Sequence, residues 1–485
     1  MRGKTKTFFL TAATAAAALS GLSLAGLSLA GVAHAQSAPK DTGEAAFRGL
    51  YKELVEINTT ASVGSCTAAA EAMGARLKAA GFLDSDVKVL FPPEHPKAGA
   101  LIATLHGKDP KAGAILLLAH IDVVEAKRED WTRDPFTLVE EGGYFYARGA
   151  SDDKAMAAIF TDSLVRYKTE GFKPKRDIKL ALTCGEEGGQ FNSVPWLLAE
   201  HPEALKADFA LNEGAISRLD DKGQPLMLGI QAGEKVYMDY DLVVTNPGGH
   251  SSRPIKDNAI YHLADGLARL RDHDFPIALN DATKAYFERG AALETDPEVA
   301  GAMRAMVKDP TDAAAAAILA REPGRNSMMR TTCVATLVDA GHAPNALPQR
   351  AHANVNCRIL PGNDPKDVRD QLEKIVADPA IKITLAAEPD PVSPPPPLSA
   401  RIMGPATKVA SQMWPGLPFI PAMSTGATDG RFTNAAGIPT YGLSGLMAPP
   451  ESNNAHGLNE KIQVKALMSG RQFLYAVVKL YADGK

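Results

Sequence analysis

The run Ile115-Leu-Leu-Leu-Ala-His-Ile-Asp-Val-Val124 restricts the fold more than any other stretch of the chain. Its first five residues are apolar without a break, so a strand built from them has no face to give to water and must be covered on both sides. Such strands belong to parallel sheets with helices packed on each face. The run then releases two polar groups. Side chains alternate along a strand, so His120 and Asp122 project the same way, about 7 Å apart by strand rise. They face the crevice at the carboxyl ends of the strands, where α/β proteins place their sites. A histidine beside an aspartate is, by itself, more often a satisfied hydrogen bond than a site. The pair gains meaning only from the acidic groups farther along the chain.

At 485 residues the chain is too long for one ordinary core, and two domains are expected. Helical periodicity over 45–80, strands on either side of Pro92–Pro96, a helix over 154–168, a strand over 178–183, a helix over 194–199 and a strand over 208–212 alternate as an α/β sheet requires. Near Gly229 the pattern changes. A strand over 235–244, an amphipathic helix over 259–271, strands over 328–339 and 351–360, a helix over 365–377 and a strand over 381–386 follow β-α-β-β-α-β order, which suits a small ferredoxin-like α+β unit. An Ala-rich helical insertion, residues 281–325, interrupts it. Pro389-Asp-Pro-Val-Ser-Pro-Pro-Pro-Pro397 reads as a stiff connector, and helices over 400–412 and 464–481 return to α/β character. The expected organisation is an export signal over 1–35, an α/β domain in two parts (36–230 and 389–485), and a smaller domain inserted over 231–388.

Arg2, Lys4 and Lys6, an apolar run from Phe8 to about Val32, and Ala33-His-Ala35 before Gln36 make the pattern of a cleavable export signal. The apolar run is long, so an uncleaved anchor is the rival reading. Cleavage leaves a periplasmic or secreted chain without stable membrane insertion, because no later stretch is long and apolar enough to span a bilayer. A net charge of -4 without a Lys/Arg cluster argues against nucleic acid as a partner. The cysteines, Cys66, Cys184, Cys333 and Cys357, lack zinc-ribbon spacing. Cys333 and Cys357 fall on neighbouring expected strands and can pair in an oxidising compartment; two free buried thiols fit the sequence at least as well.

Further acidic groups stand at expected strand ends and helix starts. Arg148-Gly-Ala-Ser-Asp-Asp-Lys154 places Asp152 and Asp153 just before a helix, where N-capping is the plain explanation. Thr183-Cys-Gly-Glu-Glu-Gly-Gly189 puts Glu186 and Glu187 after a buried strand, a costly place for two carboxylates unless a cation is present. Glu213 follows another strand, and His456 lies in Asn453-Asn-Ala-His-Gly457. Oxygen donors with imidazoles, no cysteine cluster and no HExxH helix suit a pair of zinc-type ions bridged by a carboxylate. Such a pair activates water for hydrolysis.

These motifs, with Trp131 and Asp134-Pro-Phe136, resemble the M20 family of metallopeptidases over essentially all the chain after the signal, and the carboxypeptidase S, glutamate carboxypeptidase and aminoacylase types in particular. The resemblance implies a zinc-exopeptidase-like catalytic domain with an inserted ferredoxin-like lid. It implies two divalent ions, zinc first, with cobalt or manganese as substitutes. His120, Asp152, Glu187, Glu213 and His456 would be ligands, with Asp152 bridging and Asp153 following it, across a cis peptide in such relatives. Asp122 would orient His120, and Glu186 would be the general base. His250, in Asn246-Pro-Gly-Gly-His-Ser-Ser252, would stabilise the oxyanion. Asn345 and Arg358 would grip a substrate carboxylate, for which a guanidinium suits bidentate pairing, and Gly426 and Thr428, in Thr425-Gly-Ala-Thr-Asp-Gly-Arg431, would lie against the substrate. Gly185 departs from the pattern, since many relatives carry an acidic residue there. Each of these has a plainer reading: a loop histidine is usually idle, Arg358 can be a surface residue at a strand end, and Asp429 an ordinary turn residue.

The implied activity is amide hydrolysis of peptides or N-acyl amino acids that carry a free carboxylate. A dipeptidase or aminopeptidase of the same fold is the nearest alternative, and a non-catalytic periplasmic binding protein the alternative of another class. Relatives commonly dimerise through the small domain, so a homodimer is expected unless the helical insertion covers that surface.

Overall fold

Ala114–His120 forms the central strand, and all seven of its residues are buried. The alternation splits them between two cores: Ile115, Leu117 and Ala119 join one, Leu116 and Leu118 the other. This is what an unbroken apolar run requires. The computed structural model describes residues 43–215 and 217–484; the expected export signal, residues 1–35, lies outside them. Across the main sheet the order is Val87–Leu90, Ala100–Leu105, Asp177–Thr183, Ala114–His120, Phe209–Asn212, Thr440–Gly442, Pro225–Glu234 and Phe419–Ser424, with the short Arg218–Leu219 beside Pro225–Glu234. Ala114–His120 is parallel to both neighbours, and Thr440–Gly442 extends the parallel set. Helices Glu44–Glu56, Cys66–Ala79, Lys154–Thr169 and Val464–Asp483 cover one face through Phe47, Leu54, Met73, Phe160 and Leu474. On the other face Val194, Leu197 and Phe432 pack on Leu116 and Leu118.

Val236–Thr245, Ala259–Arg271, Thr332–Ala340, Arg350–Ile359, Pro365–Val376 and Ile381–Leu385 follow the expected β-α-β-β-α-β order. Their strands form one antiparallel sheet, ordered Thr332–Ala340, Arg350–Ile359, Val236–Thr245, Ile381–Leu385. The two helices bury Leu263, Leu270, Val368 and Leu372 against it. Pro225–Glu234 of the main sheet and Val236–Thr245 of the small one are separated by Lys235 alone.

The insertion holds helices Asp281–Gly290, Pro297–Lys308, Ala313–Leu319 and Pro323–Met329 around Phe287, Met303, Met306 and Leu319. Its first helix packs on the edge strand Phe419–Ser424, with Arg289 Nη1 donating to the Phe419 carbonyl at 2.8 Å. The insertion thus shields the edge of the main sheet. Thr332–Ala340 remains an edge strand of the small sheet, with Val334, Leu337 and Val338 exposed.

Two expectations are corrected. The strand expected from 328 begins at Thr332, because Pro323 opens a helix that the Glu322 carboxylate caps at Gly324 and Arg325 and that runs to Met329. The cysteines are all paired, as Cys66–Cys184 and Cys333–Cys357, and none is a free thiol. Cys333 and Cys357 are register partners on adjacent antiparallel strands. The other bridge spans 118 residues, beyond anything local spacing reveals.

Candidate metal centre

Three parallel neighbours end side by side. Ala114–His120 delivers His120, Asp177–Thr183 leads into Glu186 and Glu187, and Phe209–Asn212 leads into Glu213. Two loops distant in sequence close the ring: the one entering helix Lys154–Thr169, with Asp152, and the one carrying His456. Asp152 lies between the histidines, its Oδ1 3.2 Å from His120 Nε2 and its Oδ2 3.2 Å from His456 Nε2. His120 Nε2 is also 3.6 Å from Glu213 Oε1, and His456 Nε2 is 2.8 Å from Glu187 Oε2. The expected ligands therefore fall into two halves that share Asp152. Glu186 lies with the first half, offering an oxygen within 4.8 Å of ligand atoms of His120 and Glu213.

The charges are crowded. Burial pushes the Glu186 carboxyl up to about 7 and Glu187 up to about 8, with neighbouring carboxylates adding and His120 opposing. Burial likewise raises Asp153 and Glu213 well above the usual carboxylate range. Asp152 moves down, because hydrogen bonds from both histidines outweigh its burial. The Asp152 hydrogen bond lifts His456 to about 9. For His120, burial works against the charged ring, but Glu213, Asp122 and Asp152 outweigh it. Asp153 Oδ2 is buried with no hydrogen-bond partner. Oxygen and imidazole donors gathered this densely fit divalent cations, which relieve the repulsion. Asp153 stands at the N-cap position, yet its side chain makes no capping bond, so capping does not explain it. The Asp152–Asp153 peptide is cis.

The surroundings tie these groups together. The Asp122 carbonyl oxygen is 3.1 Å from His120 Nδ1, nearer than its carboxylate at 3.6 Å. That carboxylate accepts the Glu187 N–H at 3.0 Å, so Asp122 links the imidazole to the glutamate turn. Gly185 has φ +97°, and a Cβ there would lie 2.0 Å from the Phe191 carbonyl oxygen. An acidic side chain cannot occupy this turn without moving the Phe191 backbone. Asp429 is no ordinary turn residue: it is buried and accepts from Thr183 Oγ1 at 3.1 Å and Asn192 Nδ2 at 2.7 Å.

Glu460 escaped the sequence reading. It is fully buried, and its carboxylate accepts from Arg148 Nη1 at 2.7 Å and from the backbone N–H groups of Gly149, Ser151 and Asp152 at 3.0, 2.7 and 3.0 Å. Arg148 Nη2 donates to the Gly457 carbonyl at 2.9 Å. One carboxylate thereby fixes the Asp152 loop to the His456 loop. The signal in the sequence was faint: an arginine and a glutamate, each four residues from an expected ligand.

The remaining candidates lie apart from the cage. His250 is exposed on a short ribbon pairing Gly249–His250 with Ala346–Leu347, its Nδ1 2.8 Å from Ser252 Oγ. Asn345 adjoins the same ribbon, its carbonyl accepting from the Ser251 N–H. Among the described residues no hydrogen bond or ion pair joins either to the cage. Arg358 stacks on Tyr237, 4.6 Å from the ring centroid; burial lowers its pKa, and no carboxylate ion-pairs with it among the described residues. Gly426 donates to Ser424 Oγ. Thr428 is buried, its N–H donating to Glu234 Oε2 at 2.8 Å and its hydroxyl accepting from Asn212 Nδ2 at 3.1 Å.

Known proteins share this arrangement of chain. Human N-fatty-acyl-amino acid synthase/hydrolase PM20D1 is 29% identical over 388 residues, 78% of this chain and 76% of that protein. The M20 family metallo-carboxypeptidase Sso-CP2 from Sulfolobus solfataricus superposes with a TM-score of 0.66 at 21% identity, covering 90% of this chain and 99% of that one. The Bacillus subtilis YXEP protein, a dinuclear metal binding peptidase, superposes with a TM-score of 0.59 at 12% identity, covering 91% and 99%. The model of peptidase family M20/M25/M40 matches residues 116–480. Since that match runs from the central strand to the last helix and takes in every cage residue, the chain belongs to peptidase family M20/M25/M40.

Proposed function

We propose that this M20 hydrolase cleaves the amide bond of N-acyl amino acids, or of peptides with a free carboxylate, with Glu186 as the proton carrier. The observation that carries the reading is the two-halved cage with Asp152 shared and Glu186 beside it. Two divalent ions, zinc by the donor set, would be held by His120, Asp152 and Glu213 on one side and by His456, Asp152 and Glu187 on the other; when bound they lower the pKa of a water and polarise a carbonyl. Glu186 takes the proton from the attacking water and returns it to the leaving nitrogen.

Arg358 supports a substrate carboxylate, because a half-buried guanidinium that makes no close ion pair among the described residues, with Asp239 acting on it only at longer range, is suited to an anion. Beside Asp152, Asp153 and Glu213 opens a cavity of about 180 Å³ lined by Met156, Ala215, Leu446 and Ala448 with Ser217 and Ser444. Apart from the cage carboxylates its lining carries no charge, which supports an uncharged acyl group on the far side of the scissile bond. The relative that acts on N-fatty-acyl amino acids supports the same direction. His250 would reach the oxyanion when the small domain closes over the cleft. Changing His250 to Ala lowers kcat by about 10²–10³-fold and moves KM far less; steady-state kinetics with unaltered kcat would remove it from the mechanism.

Two disulfides and no free thiol support export to an oxidising compartment. The exposed apolar residues on the edge strand Thr332–Ala340 support a homodimer, for which sedimentation is the measurement. The functional test uses protein stripped of metal and then reloaded with zinc or cobalt. N-acyl amino acids and dipeptides are assayed, each with its carboxylate free and amidated. Hydrolysis is expected only with metal, with blocked amines accepted and amidated carboxylates rejected. Full turnover by stripped protein, or a requirement for a free amine, overturns the reading.

A further inference from the structure

We propose that the Cys66–Cys184 disulfide is a positioning element of the metal centre, setting where Glu186 and Glu187 stand. The inference rests on the roles proposed for those two residues. Cys184 directly follows the strand Asp177–Thr183 and lies two residues before Glu186. From there to Asn192 the chain belongs to no helix or strand, and Gly185, Gly188 and Gly189 all have positive φ. A segment of this kind has no ladder to hold it and moves unless tied.

The ties are few. The Cys184 N–H donates to Ser193 Oγ at 2.8 Å, and its carbonyl accepts from the Ser193 N–H at 2.8 Å. Asn192 Nδ2 donates to the Gly185 carbonyl at 3.0 Å, and the Glu187 N–H donates to Asp122 at 3.0 Å. Most of these join the turn to its own far end. The disulfide is the covalent tie, and it reaches a different element: Cys66 opens helix Cys66–Ala79, which buries Ala69, Ala70, Met73 and Leu77 in the main core. Both half-cystines are buried. Each presents its sulfur within 4.8 Å of a carboxylate oxygen of Asp122, the residue whose carbonyl meets the His120 ring and whose carboxylate accepts from the Glu187 backbone. The bridge therefore adjoins a residue that touches both the His120 ring and the Glu187 backbone. Cys333–Cys357 differs, because it joins strands that a hydrogen-bond ladder already holds, and among the described residues neither of its sulfurs is grouped with a cage residue as Cys66 and Cys184 are with Asp122.

Catalytic groups tolerate little displacement; an error of about 1 Å costs on the order of 10²-fold in rate. The experiment compares Cys66→Ala/Cys184→Ala with Cys333→Ala/Cys357→Ala, each below its own melting temperature and at saturating zinc. In the first variant kcat falls by about 10–100-fold while KM stays within about threefold. Cobalt titration followed by visible absorption shows one ion bound about 10–100-fold more weakly. The second variant melts at lower temperature but keeps wild-type kcat and cobalt affinity. A first variant with only a lowered melting temperature, and wild-type kcat and cobalt affinity, overturns the proposal. Should that variant fail to fold, the folded wild-type protein is reduced with a phosphine. The phosphorus takes an oxygen from water, the two sulfurs each gain a hydrogen, and mass mapping identifies the thiols; the same two readouts then decide. Oxidised wild-type protein inactive on every substrate tried would defeat the functional reading, and the cobalt affinities would still judge the bridge.

Discussion

Glu186→Gln lowers kcat by about 10²–10⁴-fold while both ions stay bound. The amide keeps the size and shape of the side chain but cannot accept and release a proton. None of the ion pairs that define the two halves of the cage involves Glu186: Asp152 and Glu213 face His120, and Asp152 and Glu187 face His456. Metal content by mass spectrometry should therefore match the wild type. Single-turnover kinetics should place the loss in the chemical step. Turnover within about tenfold of the wild type would show that another group carries the proton. Lost metal would show that Glu186 belongs to the cage itself.

Glu460→Ala removes about 3–5 kcal/mol of unfolding free energy, the usual cost of stranding one partner of a buried ion pair. Arg148 is 2% exposed and would keep only the Gly457 carbonyl and the face of Trp131, 5.1 Å away. The N–H groups of Gly149, Ser151 and Asp152 would lose their acceptor together. Because the Asp152 backbone is among them, cobalt affinity should fall as well. Denaturant titration reads the first effect and the cobalt spectrum the second. A midpoint unchanged from the wild type would mean that the two loops are held by something other than this carboxylate.

Much of the architecture was legible because it is written in local period. The apolar run at Ile115–Ala119 demanded a doubly covered strand, and the change of pattern near Gly229 marked the small domain. The motifs at His120, Asp152, Glu186, Glu187 and Glu213 could be read as one constellation, because parallel strands deliver their ends to one edge and each motif ends or follows an expected strand or precedes a helix; His456 joined them through the family resemblance. Other features gave no local sign. The helical insertion could be seen, but not that its first helix covers Phe419–Ser424, since an amphipathic helix specifies a buried face without naming what buries it. Thr428 looked free for substrate, and only packing shows its N–H and hydroxyl engaged by Glu234 and Asn212.

By itself, the sequence determined the elements, their faces and the chemical types at the strand ends, since these arise from neighbours a few residues apart. Tertiary structure alone decided the pairing of Cys66 with Cys184 and the burial of Glu460 against Arg148. The first contact joins segments 118 residues apart and the second 312. Closing such loops costs entropy that only the assembled core repays.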